Sequence, residues 1–162
     1  MRTNGMKTID MTFQAMGATT TTIPYSDLYM GLKTGVADGQ ENPWVNVEGM
    51  KFYEVQKYIT EIHYKVWIGP IVVNAAWFKK QPADVQKAIL EGGRLATENN
   101  RKMIAEMETD LVKVLKDKGV EILAKPEDEP VWQEKAMGVW PQFYDKVGGK
   151  AVVDEALAIM QQ

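Results

Sequence analysis

Cysteine is absent from the 162 residues, which rules out disulfides, thiolate metal sites and thiol catalysis. Histidine occurs once, at His63, so no multi-imidazole metal site can be assembled. The only serine, Ser26, stands outside any Gly-x-Ser-x-Gly elbow. Glycine patterns that cradle dinucleotides or phosphates are missing too; Gly92-Gly93 lies inside a helical stretch and lacks their spacing. Basic charge is scarce: the formal net charge is -3, and no Lys/Arg cluster builds the basic face that a nucleic-acid binder needs. Long hydrophobic runs are also lacking. The longest, around Val66 to Ala76, is broken by Gly69, Pro70 and Asn74 and is too short to span a bilayer. At the start, MRTNGMKTIDM has no apolar core and does not read as a signal peptide, so the protein is cytoplasmic or its export signal lies outside this chain.

What remains is the balance of a globular protein, 45% hydrophobic and 25% charged, long enough for one domain with a core. Ile9, Phe13 and Met16 predict a helix over about Met6 to Met16, stopped by Gly17. The β-branched run Thr19 to Ile23 predicts a strand. Ser26 is placed to cap a helix that buries Leu28 and Leu32 and ends at Gly35. Asp38-Gly39 marks a turn before the polar run Gln40 to Pro43, and Val45 to Tyr53 predicts a further helix weakened by Gly49. Tyr64 to Val73 reads as strand. From Pro82 to Lys116, apolar residues at Val85, Ile89, Ala96, Ile104, Met107, Leu111 and Leu115 keep helical spacing. At ~1.5 Å per residue that helix is about 50 Å long. A compact chain of this size is only about 40 Å across, so the helix bends at Gly92-Gly93 or lies along something larger. Val120 to Leu123 predicts a strand, followed by helix over about Glu129 to Val147, broken at Pro141, and over Ala151 to Met160. The pattern is that of an α/β layered fold: residues 1–80 mainly α/β, 82–116 one long helix, 119–162 a strand and closing helices.

Few residues invite chemistry. A lone histidine such as His63 is more often packed or exposed than a general base, though it can line a ligand site. The acidic run Glu127-Asp128-Glu129 reads as a solvated loop or helix entry rather than a metal site. No cofactor or metal is expected, and no proton-transfer constellation supports an enzyme. Arg2 lies on a short extended segment. An arginine can fork two parallel hydrogen bonds onto a carboxylate, although most arginines are ordinary surface residues. Asn42 can both donate and accept beside its turn, and Tyr25, Trp44 and Trp67 can wall a pocket or simply pack in the core.

These features gain meaning together in Tyr25 to Thr60, YSDLYMGLKTGVADGQENPWVNVEGMKFYEVQKYIT. The stretch resembles the signature region of the DctP-type solute receptors of tripartite (TRAP) transporters. The resemblance is carried by Asp27 to Gly35, Val36 to Pro43 and Lys51 to Tyr58. It continues more weakly through Val73-Asn74, Trp77-Phe78, Pro82 to Ile89 and Gly119-Val120. It implies the carboxyl-terminal part of a two-lobed periplasmic binding fold whose lobes are joined by crossing strands and the long helix at about 82–116. It further implies a small carboxylate as ligand, with Arg2 as its clamp, Asn42 in support, Tyr25 near the ligand and His63 in a ligand-proximal segment. TRAP membrane subunits would be the partners. The first lobe expected by the resemblance is missing here, so a separate first half or a second copy of this chain would complete the cleft. Arg2 beside a chain end is expected to fray and clamp loosely. The alternative reading is a receptor half that associates without binding ligand.

Overall fold

The computed structural model describes residues 1–65, 68–124 and 126–160. The chain opens with a β-α-β unit: β1 (Arg2–Thr3), α1 (Lys7–Ala15) and β2 (Thr21–Thr22), with β1 and β2 parallel. Helix α1 follows its predicted periodicity and buries Ile9, Thr12 and Phe13. Its first turn is tied to β1, because the fully buried Thr3 donates its hydroxyl to Asp10. The predicted five-residue strand shrinks to β2, since only Thr21 and Thr22 find a partner.

After Pro24 the chain makes a 3-10 turn, Tyr25–Asp27, and then α2 (Leu28–Lys33). The expected Ser26 cap is not formed. Its hydroxyl bonds the neighbouring Asp27 carboxylate instead, because the 3-10 turn moves the helix start past it. Helix α2 lies so close to β2 that a Cβ at Gly31 would stand 3.0 Å from the Ile23 Cδ1 atom. Gly35 ends this region with φ 74, the left-handed conformation glycine reaches without a Cβ penalty. The next predicted helix is split into α3 (Trp44–Gly49) and a 3-10 turn, Phe52–Glu54, by Lys51 at φ 56.

The strand expected over Tyr64 to Val73 is not found among the described residues. Instead β3 (Tyr58–Thr60) pairs in parallel with β4 (Glu121–Leu123). Between them lie α4 (Ala75–Lys79) and α5 (Ala83–Asp117), the 35-residue helix foreseen from its spacing. The last part folds as α6 (Glu129–Met137), a 3-10 helix at Trp140–Lys146 and α7 (Lys150–Met160). Pro141 at the start of the 3-10 helix accounts for the break.

One core gathers Ile23, Leu28, Leu32, Ala37, Val47, Phe52, Leu115 and Val120 beneath α2, α3 and the β3–β4 pair. Helix α5 contributes only its carboxyl-terminal end, through Leu111 and Leu115. Lys118, just beyond it, stands 4.0 Å over the Tyr53 ring and 3.1 Å from Glu48. No described residue from 83 to 110 is buried. That length contains Gly92-Gly93, each costing about 1 kcal/mol relative to alanine in a helix. Its ion pairs, Arg94 with Glu91 and Glu98 and Lys102 with Glu106, are exposed, and pairs of that kind contribute little. Helices without tertiary packing are marginal in water. In the isolated chain, amides of residues 87–108 are therefore expected to exchange at least about a hundredfold faster than those at 111–117, read by hydrogen-exchange mass spectrometry. Equal protection along α5 would show that its exposed length is stable without a partner.

Candidate functional site

Arg2 is the middle residue of three parallel segments. Its N–H donates to the Gly39 carbonyl at 2.7 Å, it bridges Gln40 on that side, and it pairs with Thr21 on the other. The expectation of a frayed, loose arginine is overturned. Arg2 is only 4% exposed, because pairing on both edges holds a backbone that chain position alone would leave free. Its Nε donates to the Ile23 carbonyl at 2.9 Å, which orients the guanidinium plane. Nε makes the one side-chain hydrogen bond of Arg2 among the described residues, so both terminal amino groups remain for another acceptor. Burial lowers the Arg2 pKa from its ordinary value, opposed by the Glu41 carboxylate and then by Tyr25. An arginine still stays charged.

Tyr25 stands beside this group. Burial raises its pKa and the Arg2 charge opposes the rise. Its ring meets the edge of Phe52 at 6.2 Å and 86°, so the core fixes its position. Asn42 lies two residues beyond the Gln40 bridge, in a chain of amides. Its Nδ2 donates to Gln40 Oε1, and its Oδ1 accepts from Asn46 Nδ2 at 3.0 Å. These bonds set the amide orientation and leave one N–H and one lone pair unused. Trp44 begins α3 and packs against the core cluster.

The other expected residues behave differently. His63 has φ 41 and an exposed side chain whose Nδ1 lies 3.7 Å from Glu129 Oε1, at the start of α6. No described contact joins it to Arg2. Trp67 lies outside the described residues. Composition had suggested neither Glu41 nor its partners as site residues, yet they complete the polar cluster. Glu41 Oε2 is 2.8 Å from Lys65 Nζ, with the side chains 11% and 27% exposed. Between them is Tyr64, whose ring packs edge-on to Phe13 at 5.2 Å and whose hydroxyl is buried. Burial and the nearby Glu41 charge raise the Tyr64 pKa, but no well-formed hydrogen bond reaches that hydroxyl among the described residues. Only the position of Glu41 next to Asn42 could have singled it out. Among the described residues, no group of histidine, cysteine, aspartate and glutamate could hold a metal, and no helix is long and apolar enough to cross a membrane.

An oriented guanidinium with unused donors, a fixed amide and an aromatic wall can grip a carboxylate bidentately. Known proteins are similar to this chain. Residues 1–147 match the sequence model of bacterial extracellular solute-binding protein family 7, DctP. The C4-dicarboxylate-binding periplasmic protein DctP of Shewanella loihica is 34% identical over 148 residues, covering 90% of this chain and 44% of that protein. The 2,3-diketo-L-gulonate-binding periplasmic protein YiaO of Escherichia coli is 31% identical over 123 residues, covering 76% of this chain and 38% of its own length. A crystal structure of a TRAP periplasmic solute-binding protein from Shewanella oneidensis with bound succinate superposes with a TM-score of 0.84 at 32% identity. The match covers 97% of this chain and 52% of that one. The chain thus spans less than half the length of these curated relatives.

Proposed function

The chain belongs to the DctP family of bacterial extracellular solute-binding proteins, and we propose that it forms the carboxylate-anchoring half of a periplasmic receptor for a small organic acid. The family is one of solute binding rather than catalysis, and the fold is that of part of a TRAP periplasmic binding protein. The observation that carries the reading is Arg2: buried, fastened at Nε, and presenting two unengaged amino groups among the described residues. A buried cation is costly without a partner, so an anion is the natural occupant. The relatives' names, with C4-dicarboxylate, 2,3-diketo-L-gulonate and bound succinate, all carry a carboxylate. In this reading Arg2 fixes the carboxylate, Asn42 supports it, and Tyr25 and Trp44 shape the remaining wall. The loaded receptor delivers its acid to TRAP membrane subunits.

A first lobe would complete the cleft, and would also cover the unpacked length of α5 and the segment 68–73, where Ile68 and Val72 are 80% and 82% exposed. Hinge closure of two lobes on the ligand would then be the working motion.

The test is thermal unfolding of the chain against a panel of mono- and dicarboxylic acids. An acid at ~100 times its Kd should add about 2.7 kcal/mol, a rise of several degrees in Tm. The unpacked α5 favours a second reading, a half-receptor that associates through this helix without ligand. It predicts oligomers and no shift with any acid.

A further inference from the structure

We propose that Asn46 sets the polarity of the carboxylate site: by occupying the Asn42 oxygen, it turns the Asn42 N–H rather than its carbonyl toward the ligand. The inference rests on the carboxylate-binding reading above and deepens it, because it assigns part of the preference for an acceptor-only group to a residue that acts from behind the clamp.

Asn42 carries a donor and an acceptor on one planar group, so it can attract a carboxylate or repel it. A carboxylate only accepts, and an amide turned the wrong way would set oxygen against oxygen. The neighbours of Asn42 decide which end faces Arg2. In a parallel bridge the paired residues show their side chains on the same face, so Gln40 stands beside Arg2 on that face. Asn42 Nδ2 donates to Gln40 Oε1, which turns the nitrogen end of the Asn42 amide to the Arg2 side. The oxygen end accepts from Asn46 Nδ2 at 3.0 Å. The amides thus run in one direction, Asn46 to Asn42 to Gln40, and the Gln40 nitrogen is left without a hydrogen bond among the described residues.

Asn46 is the anchored member of this chain. It is the third residue of α3, its N–H donates to the Pro43 carbonyl at 2.9 Å, and the next residue, Val47, is buried in the core. Asn42 precedes the helix and caps none of its backbone N–H groups, since Pro43 is the N-cap and no side-chain cap bond forms. An asparagine at a helix start commonly gives its oxygen to those N–H groups. Here the Asn46 side chain takes that oxygen instead. Asn46 is therefore a positioning residue that acts through Asn42.

The experiment is a double-mutant cycle read by calorimetric titration of the full chain with succinate, over wild type, Asn46→Asp, Asn42→Ala and the two combined. The introduced carboxylate only accepts, so Asn42 must turn its N–H to it and present its carbonyl to the Arg2 side, where it would also engage the Gln40 nitrogen. Asn46→Asp should weaken succinate about tenfold or more when Asn42 is present, and about threefold or less in the Asn42→Ala background, where only long-range repulsion remains. Stability in urea should hold or rise at the same time, because an acidic group in the first turn of a helix is favourable. The neutral Asn46→Ala frees the amide without reversing it and should cost about two- to fivefold, again only with Asn42 in place. If Asn46→Asp does not unfold cooperatively, Asn46→Ala carries the cycle alone. Equal losses with and without Asn42, or an Asn46→Asp variant that binds succinate as tightly as wild type, would overturn the inference while leaving the carboxylate reading intact. No binding of succinate by wild type would overturn both.

Discussion

Arg2→Ala is expected to lower carboxylate affinity by at least about a hundredfold. A hydrogen bond to a charged group contributes about 1.5–3 kcal/mol, and the guanidinium offers two parallel ones. Together they amount to roughly 3–5 kcal/mol, which is a factor of a hundred to several thousand. The geometry supports the upper part of that range, because the Nε bond to the Ile23 carbonyl orients the group before ligand arrives. Arg2→Lys is expected to recover little, since a lysine cannot hold that carbonyl and present a planar fork at once. Titration calorimetry on wild type and both variants measures this, with thermal unfolding alongside to separate lost affinity from lost fold. An Arg2→Ala variant that binds within about threefold of wild type would remove Arg2 from the site.

Phe52→Ala should cost about 3–5 kcal/mol of stability, the usual range for an aromatic truncated in a core. Phe52 is fully buried among residues drawn from α2, α3, α5 and the segment before β4, so the cavity would open where several elements meet. Phe52→Leu keeps most of the volume and is expected to cost less than about 1.5 kcal/mol. It would still remove the ring edge that positions Tyr25, so ligand affinity should fall severalfold while the fold survives. Urea denaturation followed by tryptophan fluorescence gives the stabilities, with a shifted midpoint and constant slope marking a change in the folded state. A Phe52→Ala loss below about 1.5 kcal/mol would show that the core collapses around the gap.

The helices were the most legible part of the sequence. Helix α5 appears at Ala83–Asp117 against an expected 82–116, since apolar spacing and Pro82 act within a few turns. Pro141 likewise announced its break. Strands were harder to read. The apolar run at 68–73 looks like a strand in any local reading, yet β3 forms earlier, at Tyr58–Thr60, because a strand exists only where a neighbour offers its edge. Ser26 was misread as a cap because a 3-10 turn competes with the helix start, and nothing in the local sequence decides between them.

The site divides in the same way. Among the candidate residues, Tyr25 and Asn42 could be read because they sit in a contiguous motif, whereas Arg2 lies outside it and came in through the resemblance. The fraying expected of Arg2 was wrong, since its backbone is held by Gly39 and Thr21, residues far along the chain. Glu41 could be singled out only by its place beside Asn42, and its pairing with Lys65 and the burial of the Tyr64 hydroxyl had no local signature.

By itself the sequence determined the helical framework, the turns that punctuate it, the receptor signature and the exclusion of thiol chemistry. Each of these depends on residues within a few positions of one another, or on a residue type that is absent. Only the tertiary structure decided the burial of Arg2, the Glu41–Lys65 ion pair and the unpacked length of α5. Parallel pairing and charge proximity join residues that the chain separates widely, and the cost of burying a cation depends on what surrounds it in space.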